Sequence, residues 1–175
     1  MAKRAESIPR VAVDRSGAWR VRRAQPGDAR EIAALGAGAF ARGWSPASIA
    51  DELVRADAEV WALGASDGDS PLHGFLLARR MPPDGGGAAG HDLEVLLIAV
   101  RERERGRGGA SALLAAVLDA ARRDGIGRVR LDVRASNAAA IGLYLRHGFA
   151  VVGRRPRYYE AREDAIQMSL ELEPG

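Results

Sequence analysis

The chain has no cysteine among its 175 residues. That excludes a disulfide framework, a thiol nucleophile and a thiolate zinc ribbon at one stroke. Lysine is almost missing as well, since Lys3 is joined only by arginines in the set of 26 basic residues. Aromatic residues make up 5%. No apolar run approaches the roughly 18 residues that a membrane span requires. The start, MAKRAESIPRVAVDR, is basic and reaches no apolar stretch of signal-peptide length, so secretion by that route is not expected. His73, His91 and His147 stand far apart without ligand spacing, and no metal site is expected. These absences leave a soluble cytoplasmic protein as the expectation.

What is present points to one folded unit. Hydrophobic residues are 47% of the chain, which excludes disorder over its whole length. A chain of this size forms about one domain and buries roughly 70% of its unfolded surface. The 26 basic residues against 23 acidic ones leave a net charge of +3, with a sequence pI of about 9.9. The abundance of Arg, Ala and Gly fits a GC-rich coding sequence. A charge of this size is too small to indicate nucleic acid, which is not expected as a partner, but it is compatible with an anionic, phosphate-bearing ligand.

Residues 1–17 carry no sustained period and read as a flexible basic arm, followed by one domain over 18–175. Trp19 to Arg22 alternates as a first strand. Asp28 reads as a helix N-cap with Glu31 three residues on, and Ser45-Pro46 announces a second helix. Strands are expected over 59–65 and 72–79, separated by the turn Ser66-Asp67-Gly68-Asp69. The stretch MPPDGGGAAG from Met81 to Gly90 reads as a flexible connection. Asp92 to Val100 is a strong central strand. Residues 109–123 place Leu113, Leu114, Val117 and Leu118 on one helical face. A strand over 129–133, a helix over 137–147 ended by Gly148, and strands over 149–152 and 165–172 complete the pattern. The order predicts a mixed α/β sheet in one domain.

The chemistry-bearing segment is IAVRERERGRGGA, Ile98 to Ala110, where a strand passes through glycines into a helix. Glycine lets backbone N–H groups approach a ligand, and the first helical turn has unpaired donors and a positive dipole end. Such an arrangement suits a pyrophosphate, with Arg105 and Arg107 adding charge. A plain glycine-rich turn is the other reading. There is no Gly-Lys-Ser/Thr, and the glycine spacing is not that of a dinucleotide fold.

Arg105-x-x-Gly108-x-Ala110 matches the R/Q-x-x-G-x-G/A coenzyme A loop of the GCN5-related N-acetyltransferase (GNAT) superfamily. LDVRASNAAAIGLYLRHGF, Leu131 to Phe149, closely resembles the corresponding segment of RimI-type enzymes, which acetylate ribosomal-protein alanine. Trp44-Ser45, Ile98-Ala99-Val100, Tyr158-Tyr159 and Glu163-Asp164-Ala165 add to the resemblance, which spans about residues 19 to 172. It implies the GNAT fold: a single mixed, mostly antiparallel α/β sheet flanked by about four helices. It also implies acetyl-CoA as co-substrate, and no metal. The backbone of Ile98, Ala99 and Val100 would pair with the pantetheine arm. The loop Arg105, Gly106, Arg107, Gly108, Gly109, Ala110 and Ser111 would hold the pyrophosphate. Asn137 would hydrogen-bond the cofactor or cap its own helix. Tyr144 would protonate the leaving thiolate, and Trp44, Tyr158 and Tyr159 would line a peptide groove.

Two carboxylates compete for the role of base. Asp132 stands where the ribosomal-alanine enzymes usually carry glutamate. Glu94 stands on the central strand where many superfamily members keep theirs, and strand alternation puts it on the face of Ile98. The reaction implied is acetyl transfer to a primary amine, first of all the N-terminal α-amino group of a small-subunit ribosomal protein. A small amine or antibiotic as acceptor, and a catalytically silent acetyl-CoA-binding module, are the alternatives. The run Arg154-Arg155-Pro156-Arg157 reads as a solvated loop.

Overall fold

Eight strands form one sheet among the described residues: β1 (Ala12–Val13), β2 (Trp19–Arg23), β3 (Ala58–Ala65), β4 (Gly74–Met81), β5 (Asp92–Val100), β6 (Arg128–Arg134), β7 (Ala150–Tyr159) and β8 (Glu163–Glu171). The computed structural model describes residues 12–13, 19–37, 45–65, 71–82 and 91–173. The rest of the basic arm, Trp44, the turn after Ala65 and residues 83–90 lie outside them. The spatial order is β1-β2-β3-β4-β5-β6-β8-β7. Only β5 and β6 run parallel; the other pairs are antiparallel. A parallel pair needs a crossover, which here carries α3 (Gly109–Arg123). With α1 (Ala29–Gly36), α2 (Pro46–Val54) and α4 (Ala138–Arg146), this is the mixed, mostly antiparallel architecture expected.

Helices lie on both faces of the sheet. Leu113, Leu114 and Val117 of α3 pack with Leu93, Val129 and Leu131 on one face. Ile32 of α1 and Ile49 of α2 pack with Phe75 and Leu77 on the other. Each such fully buried side chain contributes about 1.5–3 kcal/mol. Residues 74–78 of β4 are buried on both faces, which explains their unbroken small and apolar run.

Local signals are met in part. The Ser45 hydroxyl accepts the Ser48 N–H at 3.1 Å, with Pro46 opening α2. The expected pairing of Asp28 with Glu31 is replaced. Pro26–Asp28 forms a 3-10 turn, and the Asp28 carboxylate reaches back to the Gln25 N–H at 2.7 Å. Glu31 instead accepts the Leu72 N–H at 2.7 Å, tying α1 to the approach of β4. The last strand but one also differs, running through Pro156 to Tyr159 rather than ending at Val152. Proline is tolerated there because β7 is an edge strand, with β8 its one strand neighbour. The pairing is irregular between Arg155 and Tyr159.

One irregularity positions everything that follows. Opposite β4, the register steps from Leu77↔Leu97 to Ala78↔Val95, leaving Leu96 as an extra residue in β5. A bulge bends the strand that carries it and increases its twist. Pairing between β5 and β6 stops at Val95↔Leu131. Past that point β5 stays with β4 and β6 stays with β8, so the sheet splits. The bulge also overturns the expectation that Glu94 and Ile98 share a face. Ile98 packs with the α3 layer, whereas Glu94 lines a groove on the opposite side.

Candidate active site

The split has a glycine-built cradle at its β5 end. Residues 101–108 leave the strand through a short 3-10 turn and enter α3 at Gly109. Gly106 and Gly108 have φ of +77° and +84°, a region that only glycine enters freely. A methyl group at either would meet no heavy atom within 4 Å, so the loop surface is open on that side. Ala112 makes the first helical hydrogen bond, to the Gly108 carbonyl at 2.9 Å. The N–H groups of Gly109, Ala110 and Ser111 precede it and belong to the turn whose donors a helix leaves unpaired. Gly109 serves packing instead, because a Cβ there would lie 2.7 Å from Leu63 Cδ2.

The loop is held from behind. Trp19 on β2, only 3% exposed, donates its indole N–H to the Arg107 carbonyl at 2.8 Å. Arg107 pairs with buried Glu104, and the Arg105 Nε donates to the Val100 carbonyl at 3.2 Å. Ser111 Oγ and His147 Nε2 are hydrogen-bonded at 2.7 Å, tying the start of α3 to the end of α4. Burial and neighbouring Arg146 push the His147 imidazole below its usual pKa, which favours the neutral ring in that bond. Ile98, Ala99 and Val100 lie beyond the last β5–β6 pair, half-buried along the split.

The far wall of the split is formed by β6, α4 and the end of β7. Asp132 is the first β6 residue after the parallel pairing stops. Its backbone carbonyl accepts the Tyr159 hydroxyl at 3.1 Å, and its carboxylate lies 3.0 Å from Arg155 Nη1. Tyr144 on α4 is buried, tilted against Phe149 at 5.7 Å between ring centroids. Burial, with the Tyr159 phenol nearby, pushes the Tyr144 hydroxyl up to about 12. Tyr159 is likewise pushed up to about 12 by burial and the Asp132 charge. Tyr158 packs edge-on against it at 5.1 Å and is half-exposed. Asn137 caps α4, its side-chain oxygen accepting the Ala140 N–H at 3.1 Å. Its amide N–H groups take no part in that bond.

Asp132, Glu94, Arg130, Arg155 and Gln167 line a polar groove of about 360 Å³ on the sheet face opposite α3. Both candidate carboxylates therefore reach one cavity. They differ in depth: Glu94 pairs in register with Arg130, inside the closed part of the sheet, while Asp132 stands at the opening. Among the residues that sequence reasoning singled out, Trp44 lies outside the described residues. Trp19, His147 and Arg155 were not singled out for this site. Their partners are remote in the chain, and no local pattern announces them.

The Acetyltransferase (GNAT) family profile matches residues 29–149. The N-alpha-acetyltransferase RimI of Mycobacterium tuberculosis is 37% identical over 118 residues, 66% of this chain and 67% of that protein. A mycothiol acetyltransferase of Brachybacterium faecium is 40% identical over 86 residues, 49% of this chain and 25% of that protein. The solved structure of the ribosomal-protein-S18-alanine N-acetyltransferase from Escherichia coli is similar with a TM-score of 0.70 at 25% identity, covering 90% of this chain and 96% of that one. Against the first curated relatives, the chain spans between 22% and 53% of their length. With a family profile matched from α1 to the residue before β7, and a relative matched over two thirds of its own length, the chain belongs to the acetyltransferase (GNAT) family.

Proposed function

We propose that the chain is an acetyl-CoA-dependent N-acetyltransferase acting on the N-terminal α-amino group of a protein, first of all a ribosomal-protein alanine, in the cytoplasm, with residues 18–175 as its single catalytic domain. The observation that carries this reading is the split between β5 and β6. It is flanked by an open glycine cradle on one side and by Asp132, Tyr144 and Tyr159 on the other.

Acetyl-CoA supplies an activated acetyl thioester. The N–H groups at the start of α3, with Arg105 and Arg107, suit its pyrophosphate, and the free edge of β5 over Ile98, Ala99 and Val100 suits its amide-bearing arm. A backbone N–H near Val100 is the donor for the acetyl oxygen. An α-amine has a pKa of about 8 and must lose a proton before attack, which Asp132 accepts directly or through a water. Tyr144 stays protonated at neutral pH. It can therefore give a proton or a hydrogen bond to the departing sulfur, whose thiol titrates at about 8.5.

Tyr158, beside Arg155, and Tyr159, bonded to the Asp132 carbonyl, suit a peptide entering beside β7. Peptides beginning with Ala are expected to be acetylated on the α-amino group faster than on a lysine side chain, whose pKa of about 10.4 leaves less free amine. Mass spectrometry of a mixed panel checks this. Acetylation confined to polyamines or aminoglycosides would favour the second reading, a small-molecule amine, which the relative named for mycothiol supports.

The clamp behind the cradle gives a further expectation. Trp19→Phe removes the hydrogen bond to Arg107, a loss of about 1 kcal/mol. Acetyl-CoA affinity should fall by roughly fivefold in calorimetry while kcat at saturation is kept.

A further inference from the structure

The outer end of β7 leaves the regular ladder at one place. Arg155 pairs with Ala165 and Tyr159 with Glu163, so Pro156, Arg157 and Tyr158 together stand opposite Asp164 alone. Proline brings no N–H to that stretch. Arg157 adopts a φ of +53°, a left-handed conformation that side chains enter only against strain. Glu160 and Ala161 are left-handed too, but they sit in the turn after β7, where the chain reverses. Arg157 lies inside the strand.

The Asp164 carboxylate fastens this bulge. Its Oδ1 accepts the Arg157 N–H at 2.8 Å, and its Oδ2 accepts the Arg154 Nε–H at 2.6 Å. A charged acceptor bonded through both oxygens is a strong restraint. The Arg157 N–H and the Arg154 guanidinium hold the Asp164 carboxyl below the usual carboxylate range, so it is charged near neutrality. The Asp164 carbonyl accepts the Ala135 N–H at 3.0 Å, which joins the bulge to the end of β6.

The consequence is visible in the two tyrosines. Adjacent side chains of a strand point to opposite faces. Tyr158 and Tyr159 instead meet edge-on, with 5.1 Å between ring centroids. Tyr159 reaches the Asp132 carbonyl, and the Tyr158 ring lies 5.3 Å from the guanidinium carbon of Arg155, itself paired with the Asp132 carboxylate. Both rings therefore gather on the side of Asp132. We propose that Asp164 is a positioning residue for the acetyl acceptor: by holding the bulge of β7, it keeps Tyr158 and Tyr159 together beside Asp132. This rests on the reading above, in which a peptide enters beside β7. Half-exposed Tyr158 then meets the part of the peptide beyond the reacting amine. Asp164 itself acts only through the backbone of Arg157.

The test compares two acceptors on the full chain: an Ala-headed peptide, and alanine amide, which has the same reacting amine and nothing beyond it. Asp164→Ala should raise KM for the peptide by on the order of tenfold, with kcat within about threefold and alanine amide kcat/KM within about twofold. Asp164→Asn keeps an acceptor oxygen for the Arg157 N–H and should recover most of the loss. Tyr158→Ala, a change at a half-exposed side chain, should give the same split between the two acceptors. Adding it to Asp164→Ala should cost little more, because both changes act through one ring. An unchanged affinity for acetyl-CoA shows that each variant is folded. A residue that only stabilises the domain would lower both acceptors alike. Equal losses on the two acceptors, full additivity of the two changes, or a peptide KM unmoved by either change overturns the proposal and leaves N-terminal acetylation standing. Absence of α-amino acetylation on every Ala-headed peptide by the wild type overturns the N-terminal reading and the proposal with it.

Discussion

Gly108→Asp is expected to weaken acetyl-CoA binding by on the order of 10²-fold or more, with the rest of the fold kept. Gly108 caps α3 in a left-handed conformation at φ +84°. The left-handed backbone strains any side chain placed there, aspartate and asparagine less than most, while the space around the position is open. The damage comes from charge. The first-turn N–H groups and the positive end of a helix of 15 residues favour an anion beside Gly108. A carboxylate there bonds the same donors and repels the incoming phosphates. Gly108→Asn separates the two effects, because asparagine also tolerates the left-handed region without the charge and should keep most of the affinity. Thermal unfolding gives a simple readout. A ligand at 100 times its Kd stabilises the native state by about 2.7 kcal/mol, which for a chain of this length raises Tm by several degrees, about 2–4 °C per kcal/mol. The wild type should show that rise, and Gly108→Asp should show almost none at the same concentration. An equal rise in both would remove the loop from the cofactor site.

The parts of the fold that were legible in the sequence are those with strong local causes. The range 109–123 for α3 follows from a glycine cap and a regular apolar stripe, and the structure has it at those bounds. Asn137 and Gly148 bracket α4 for equally local reasons, with Asn137 as N-cap and Gly148 at φ +89° after the helix. The bulge at Leu96 had no such signal. In LEVLLIAV both neighbours are apolar, and both faces of β5 are covered at that point, so alternation carries no phase from which a slipped residue could be read. The extension of β7 was hidden for the opposite reason. Arg154-Arg155-Pro156-Arg157 has the composition of a loop, and an exposed edge strand tolerates it because half of its backbone faces no neighbour. For the site, the cradle and the candidate Asp132 and Tyr144 were readable from motifs. The Trp19 clamp and the Arg155–Asp132 pair were not, since both join residues that only the finished sheet brings together.

Asp132→Ala is expected to lower turnover on an Ala-headed peptide by on the order of 10²-fold or more, the usual scale for a general base. Affinity for acetyl-CoA should survive, because Asp132 lies on the β6 side of the split and the cradle on the β5 side. Glu94→Ala decides between the two carboxylates. Glu94 stands in register with Arg130, two residues before the strand position of Asp132. At about 3.3 Å per residue, that sets it roughly 6–7 Å deeper in the closed part of the sheet. Its longer side chain recovers about one methylene of that distance, which is not enough for direct contact with an amine at the opening. Glu94→Ala should therefore reduce kcat by less than about tenfold, an indirect effect through the shared groove. Asp132→Glu should stay active or gain, since the added methylene extends the carboxylate further into the split. Higher pH should partly rescue Asp132→Ala, because above about 8 an α-amine is already deprotonated. Near-normal turnover in Asp132→Ala beside a collapse in Glu94→Ala would move the base to Glu94.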